Sequence, residues 1–240
     1  MTDREQDLLE GLVVDVAQFH GERLLLERGD FCDFSTILIE GHMLRTIHED
    51  GERSIVGYQV PGDFVDLHAF ALKRLDHDLM VIGKVKVGYV PHDRLRKVLE
   101  EEPHLARIFW FSTLLDAAIH REWIMKTQQL RAMGRLAHFF AELWYRLRMV
   151  DMGQKSGFQT SLNQVHLGQL CGLSTVHVNR SLRELREAGI VEFRRGRITI
   201  MDAKRLKELG KFEPSYLYGE GGLAVGSALD KSAGEGKPEG

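Results

Sequence analysis

The stretch from Thr160 to Ile200, TSLNQVHLGQLCGLSTVHVNRSLRELREAGIVEFRRGRITI, restricts what this chain can fold into more than any other part of it. It reads as two short helices around a tight turn, followed by a basic hairpin. Asn163 is a good N-cap, because its side-chain oxygen accepts from a backbone N–H left unpaired at a helix start. Val165, Leu167, Leu170 and Cys171 supply the apolar side of about two turns. Gly168 in mid-helix costs about 1 kcal/mol against alanine, which implies a close contact there. Gly172 ends the helix in the positive-φ position of a C-cap. Ser174 caps the next helix, which is expected to run to about Ala188 and stop at Gly189.

On that second helix Val178, Leu182 and Leu185 make one buried face. Thr175, His177, Asn179, Arg180, Arg183 and Arg186 occupy the other sides. A helix-turn-helix inserts the start of such a helix into the major groove, where short polar side chains and arginines meet base edges. Ile190–Phe193 and Arg197–Ile200 then alternate like two strands joined through Arg194-Arg195-Gly196, a wing suited to phosphate contact. The candidate DNA-contacting residues are Asn163 and Gln164 at the first helix start, Ser174, Thr175, Val176, His177, Asn179 and Arg180 on the second, and Arg194, Arg195 and Arg197 on the wing. The plainer alternative is a helical hairpin packed for stability alone, its arginines a solvated face. Glycine spacing, caps and wing agree on the first reading.

Charge supports it. The chain of 240 residues carries a formal net charge of −3. Residues 154–209 hold ten lysines and arginines against five acids, whereas residues 210–240 hold three against five, leaving −6 for residues 1–153. A basic module beside an acidic one confines DNA contact to the C-terminal part. Two cysteines, Cys32 and Cys171, make no disulfide framework and no zinc or iron–sulfur ligand group. Both read as packed residues, Cys171 on an apolar helix side. The start, MTDREQDLLEG, lacks the apolar core of a secretory signal, and no apolar run is long enough to cross a bilayer. A cytoplasmic protein with no membrane contact is expected.

Along the chain, residues 2–19 read as one or two short helical segments. From about Glu22 to Val90 short strands alternate with turns: 23–27, 36–41, 43–47, 54–60, 79–82 and 85–90, with strong turn signals at Glu49–Glu52 and Pro61–Phe64. That rhythm fits an antiparallel barrel or jelly roll. Helical spacing resumes at Pro91, and Pro103 opens a long helix. Its three/four repeat of Leu105, Ile108, Ser112, Leu115, Ile119 and Trp123 lasts about five turns and is expected to form a dimerisation spine. The competing reading packs the helix on its own barrel; Phe109, Trp110 and Phe111, which make more than one face apolar, favour the dimer. Another helix spans 129–149, then a loop leads into Thr160. Beyond Lys211 the composition turns to Gly, Ser, Ala, Glu and Lys, and disorder is expected from Gly219 to Gly240. The expected division is a sensor domain over 1–102, the long helix over 103–128, a winged helix-turn-helix domain over 129–210 and a tail over 211–240, an α+β chain.

A jelly roll, then a long helix, then a winged helix-turn-helix is the order of the Crp/Fnr superfamily of bacterial transcription regulators. The chain resembles it over roughly residues 20–202, most specifically in Gly57-Tyr58-Gln59-Val60-Pro61-Gly62-Asp63-Phe64 and in Leu162–Ile200. The resemblance implies a homodimer on a near-palindromic duplex site that recruits or blocks RNA polymerase, with an effector pocket in the jelly roll. Candidates for that pocket are Gly62, Asp63, Leu67, His68, His77 and Asp78. Cyclic-nucleotide members carry a glutamate for the ribose shortly after the Gly-Asp-Phe turn and an Arg-Ser pair for the phosphate. Here the matching stretches are Val65–Phe70 and His77-Asp78, so a carboxylate would face the phosphate and histidine would replace a bidentate arginine. Cyclic AMP is not expected to bind. The iron–sulfur mechanism of the oxygen-sensing branch lacks its cysteines. Histidines 20, 42, 48, 68, 77 and 92 could ligate a haem, but none stands out; no cofactor or metal is expected, and His68 and His77 are candidate ligand- or pH-sensing groups. On the reading helix Arg180 matches the family's guanine-reading arginine, while Val176 stands where a glutamate is usual. A half-site other than the TGTGA and TTGAT types is therefore expected, with a guanine retained opposite Arg180.

For catalysis the sequence offers no phosphate loop, no nucleophile elbow and no metal-ligand spacing. Glu100–Glu102 reads as solvated surface at a helix end. The chain is not expected to be an enzyme, and the alternative to a regulator is an architectural DNA-binding protein without a ligand response.

Overall fold

The computed structural model describes residues 2–218. Helix α1 (Asp3–Leu12) is followed by strands β1 (Asp15–Phe19), β2 (Arg23–Leu26), β3 (Phe34–Glu49) and β4 (Glu52–Gln59), a short helix α2 (Ala69–Leu72) and strand β5 (Asp78–Pro91). Helices α3 (His92–Glu101), α4 (Pro103–Gln129) and α5 (Ala132–Met149) then lead to β6 (Gly157–Gln159), α6 (Gln164–Cys171), α7 (Thr175–Glu187), β7 (Val191–Arg194), β8 (Arg197–Ile200) and α8 (Ala203–Gly210). A 3-10 turn at Pro214–Leu217 closes the described chain.

The first five strands pair antiparallel in the order β1-β5-β3-β4, with β2 also on β5. The sequence breaks expected at Gly41 and near Gly83 are bulges inside single long strands. Gly41 has φ +85°, and a Cβ there would stand 2.1 Å from the Lys84 carbonyl oxygen. β3 thus runs 16 residues and bends, pairing β5 along its length and β4 over its second half. The expected helical reading of 2–19 holds only to Leu12. Asp15–Phe19 joins the sheet edge against β5, where pairing with a long strand overrides a weak local preference.

The roll's interior is filled by Leu38, Met43, Val65, Leu79, Val81 and Val85, all fully buried. Its outer face contributes Leu44, Tyr58, Val60 and Ile82 to a second core shared with Leu136, Phe139, Phe140, Leu143, Leu167, Val178 and Leu185 of the helical half. Burial of a side chain such as Phe140 contributes about 2–3 kcal/mol. One apolar core therefore spans the two halves, and Tyr58 anchors it with an Oη···Oγ1 hydrogen bond to Thr160 of 2.8 Å.

Helix α4 has 27 residues, longer than the five turns expected. Strand β6 lies where a loop was expected, and β8 pairs with both β6 and β7. At Gly157 (φ +139°) a Cβ would meet the Ile198 carbonyl oxygen at 2.0 Å, so only glycine permits that approach. Residues 211–218, assigned to a tail from composition, are packed: Phe212 and Leu217 are buried against the core. The disorder expected from Gly219 to Gly240 lies outside the described residues. No helix among the described residues is long and apolar enough to cross a membrane.

Candidate functional site

The helix-turn-helix forms where its local signals place it. The Asn163 side chain accepts from His166 N at 2.9 Å, and Asn163 N donates back to His166 Nδ1, a capping box closed by histidine. A Cβ on Gly168 would lie 2.7 Å from the Leu173 carbonyl oxygen, so its absence lets the turn fold tightly over α6. Gly172 is left-handed at the α6 C-cap, and the Ser174 side chain caps α7. One detail differs from expectation. Val165 is half exposed and His166 is buried in its place, 3.3 Å from Glu22 of the roll, because α6 lies against β4.

On α7, Val178, Ser181 and Leu185 face inward. Ser174, Thr175, Val176, His177, Asn179 and Arg180 are exposed, Val176 by 74%. The Asn179 side chain is turned to the Thr175 carbonyl at 3.0 Å, and Ser174 Oγ lies 2.8 Å from His177 Nδ1. Arg180 has a loose neighbour in Glu184 at 3.9 Å and is free to swing toward a base edge. Arg195 and Gly196, both at positive φ, turn the β7–β8 wing, and Arg194, Arg195 and Arg197 are exposed at its tip. Asn163 is exposed but engaged in its cap, and Gln164 is half-buried.

The six expected effector residues do not converge. A cleft of about 610 Å³ between the roll and α4 is lined by Leu67, His68 and His77. Gly62 and Asp63 border a different cavity, and Asp63 is bound by Arg146 of α5 at 2.7 Å. Asp78 points out of the cleft altogether, accepting from the Arg28 backbone N–H and His48 Nδ1, each at 2.7 Å. His77 lies in the bend before β5 and Asp78 is the first strand residue, and the two side chains part where the chain enters the sheet.

Sequence reasoning missed the groups that define the cleft. Arg45, on β3, is buried and donates to the Val65 carbonyl (2.9 Å) and to Asp116 of α4 (2.6 Å). Burial alone would raise the Asp116 carboxyl, yet Arg45 beside it holds it below its usual value. His120 of α4 reaches the Val56 carbonyl at 3.0 Å. Asp76 stands beside both His68 and His77. No residue pattern pointed to Arg45, whose partner is 71 positions away. The thiols play no part: burial pushes Cys171 up to about 12 and Cys32 up to about 11, the latter helped by nearby carboxylates.

Of the expected dimer stripe, Leu105 is buried and Ile108, Ser112, Leu115, Ile119 and Trp123 are half-buried on their own chain. Leu105 and Ile108 pack on α3 and α1, and Leu115, Ile119 and Trp123 on the shared core; Ser112 lines the cleft. The apolar side chains that α4 exposes are Trp110 (67%), Leu114 (51%) and Ile124 (60%).

Comparison with known proteins matches each half to a family model. Residues 16–102 match the cyclic nucleotide-binding domain and residues 134–209 the Crp-like helix-turn-helix domain. Together, in this order, they decide the family. The chain belongs to the Crp/Fnr superfamily. Among relatives of this regulator, the nitrogen fixation regulation protein FixK of Bradyrhizobium diazoefficiens is 25% identical over 191 residues, covering 79% of this chain and 78% of that protein. The anaerobic regulatory protein of Haemophilus influenzae is 22% identical over 210 residues, covering 87% and 81%. The solved structure of FixK2 from Bradyrhizobium japonicum superposes with a TM-score of 0.71 at 20% identity, covering 81% of this chain and 96% of that one. A Crp/Fnr-family transcriptional regulator from Thermus thermophilus gives 0.62 at 17%, covering 82% and 99%. This Crp/Fnr protein is thus a DNA-binding transcription regulator with a sensor domain, not an enzyme.

Proposed function

We propose that the chain acts as a homodimer on near-palindromic duplex DNA in the cytoplasm, reads it sequence-specifically, and works through RNA polymerase. The observation that carries this reading is the free N-terminal face of α7: Thr175, Val176, His177 and Arg180 are exposed while the helix's other side is locked in the core. Arg180 offers a bidentate pair to guanine, and Val176 a methyl contact to thymine. Dimerisation is assigned to the side of α4 that exposes Trp110, Leu114 and Ile124, beside the half-buried stripe named from the sequence. Leu114→Glu should convert the dimer to a monomer in sedimentation.

The sensor is not a cyclic AMP receptor in this reading. No glutamate lines the cleft, and of the pair at the phosphate-binding position only the neutral-prone His77 faces it. With both cysteines packed away from the surface, no iron–sulfur cluster is part of the proposal.

Selection of binding sites from a random duplex library, with no ligand added, tests the DNA reading. A palindromic motif preferred about a thousandfold or more over random duplex is the expected result. Binding without a motif would replace this reading with the architectural one.

A further inference from the structure

His68 at the start of α2, and Asp76 and His77 just before β5, come from opposite ends of one loop and meet at the cleft wall. His68 Nε2 lies 3.2 Å from Asp76 Oδ1, and His77 Nε2 lies 3.7 Å from the same oxygen. The two rings are 5.0 Å apart between centroids. One ligand atom from each residue can be chosen so that all lie within 4.8 Å of one another. Ligand atoms held by a divalent metal at about 2.1 Å stand roughly 3–3.5 Å apart, so these separations close on an ion with small side-chain movements.

Two further observations separate this cluster from an ordinary surface group. His77 is 6% exposed, and both His68 Nε2 and His77 Nε2 are buried with Asp76 alongside but no well-aligned hydrogen bond. Buried imidazole nitrogens are ordinarily satisfied, and orphans aimed at one point call for an occupant. The other nitrogen of His77, Nδ1, sits 3.3 Å from the Asp78 carbonyl oxygen and donates to it. That bond selects the tautomer with a lone pair on Nε2, the arrangement by which proteins orient a metal-ligating histidine. Arg45, which lines the same cleft, is paired with Asp116 at 2.6 Å.

We propose that His68, Asp76 and His77 form a binding site for a divalent transition-metal ion of the zinc, iron(II) or nickel class, set in the wall of the sensor cleft. Two imidazoles and one carboxylate suit such an ion and leave coordination positions open. Those positions face the cleft, whose opposite wall is Ser112, Thr113, Asp116 and His120 of α4. The site and the helix to which dimerisation is assigned thus share one cleft. The inference deepens the regulator reading by naming the chemistry its sensor detects.

The test uses the full chain, without a histidine tag and stripped with chelator, titrated with Zn²⁺ and Co²⁺ alone. One equivalent per chain is expected, with Co²⁺ giving d–d absorption and Zn²⁺ raising the melting temperature. Asp76→Ala removes a side chain that is 69% exposed, and so leaves the fold intact. It should weaken binding at least about 100-fold, more than loss of a hydrogen bond to a ligand does. His20→Ala, which removes an exposed histidine just after β1, should leave binding unchanged. Absence of binding below about 100 µM, or an equivalent retained by both Asp76→Ala and His77→Gln, overturns the site. DNA affinity measured on the same samples should change about tenfold or more on metal loading; a metal-bound chain with unaltered DNA affinity overturns the sensing role. A chain that selects a motif but takes no metal loses this site and keeps the DNA reading. One that takes metal but selects no motif does the reverse.

Discussion

On α7 and the wing, Arg180, Arg183, Arg194, Arg195 and Arg197 stand exposed, with acidic neighbours no closer than the 3.9 Å of helical pairs such as Arg180–Glu184 and Arg183–Glu187. In the roll and at its junction with the helices, Arg45 is buried and Arg146 largely so, and each is gripped by a carboxylate, Asp116 at 2.6 Å and Asp63 at 2.7 Å. Exposed arginines keep their hydration until an outside anion replaces it. Buried ones have already exchanged water for a fixed partner, and that partner must stay. The first region is built to meet something, the second to hold its own halves together. Salt should govern the first and pH the second.

The largest effect is expected at the buried pair. Arg45→Ala should lower the unfolding free energy in urea by about 3 kcal/mol, since Asp116 and the Val65 carbonyl lose their partner in a partly buried place. Arg180→Ala should stay within about 0.5 kcal/mol of the parent in the same assay. Equal losses would erase the distinction between the regions.

Next comes acid. Burial lowers His42 to about 4, although its bond to the Gln159 carbonyl works the other way. The folded chain therefore binds fewer protons than the unfolded chain between pH 4 and the unfolded value near 6.5. The stability that neutral His42 contributes is present above about pH 6.5 and is lost as pH falls toward 4, on the order of 3 kcal/mol. Burial also lowers His77 to about 4 and His68, His92, His138 and His166 in the same direction. Asp66 opposes them: burial raises it to about 7, so its contribution fades as pH rises through that value. Six histidines outweigh one aspartate, and urea midpoints should fall between pH 6.5 and 4.5. His42→Leu should make that fall shallower; an unchanged slope would mean His42 is not buried neutral.

At the DNA end the effects are smaller and fall on binding. Arg180→Ala should cost about 1–3 kcal/mol on the selected duplex and relax one base pair of its motif. An equal loss on every sequence would make Arg180 a phosphate contact instead. Smallest, Arg194→Ala or Arg195→Ala should weaken all duplexes alike and reduce the salt slope by about one each, with urea midpoints unmoved.

What was readable from the residues follows the same division. Asn163, Gly168, Gly172 and Ser174 act on backbone a few positions away, and each does in the structure what its type implies. Arg195-Gly196 likewise turns the wing. The three/four repeat of α4 correctly marked a packed face, but periodicity cannot say which body a face packs against. Leu105, Ile108 and Leu115 turned out to cover their own chain, and Trp110, Leu114 and Ile124 were left outside. Gly41 and Gly83 read as strand ends because a bulge and a turn ask for the same backbone freedom.

The sequence by itself determined the order of the modules, the caps and turns of the helix-turn-helix, and the basic face it offers to DNA. All of these rest on interactions within a turn or two of chain. Tertiary structure alone decided that Asp78 leaves the cleft, that Asp63 clasps Arg146 and Asp116 clasps Arg45, and that His68 meets Asp76 and His77. The physical reason is desolvation. A buried charge or orphaned nitrogen is settled only by the atoms that enclose it, and for Arg45 and Arg146 those atoms arrive from 71 and 83 positions away.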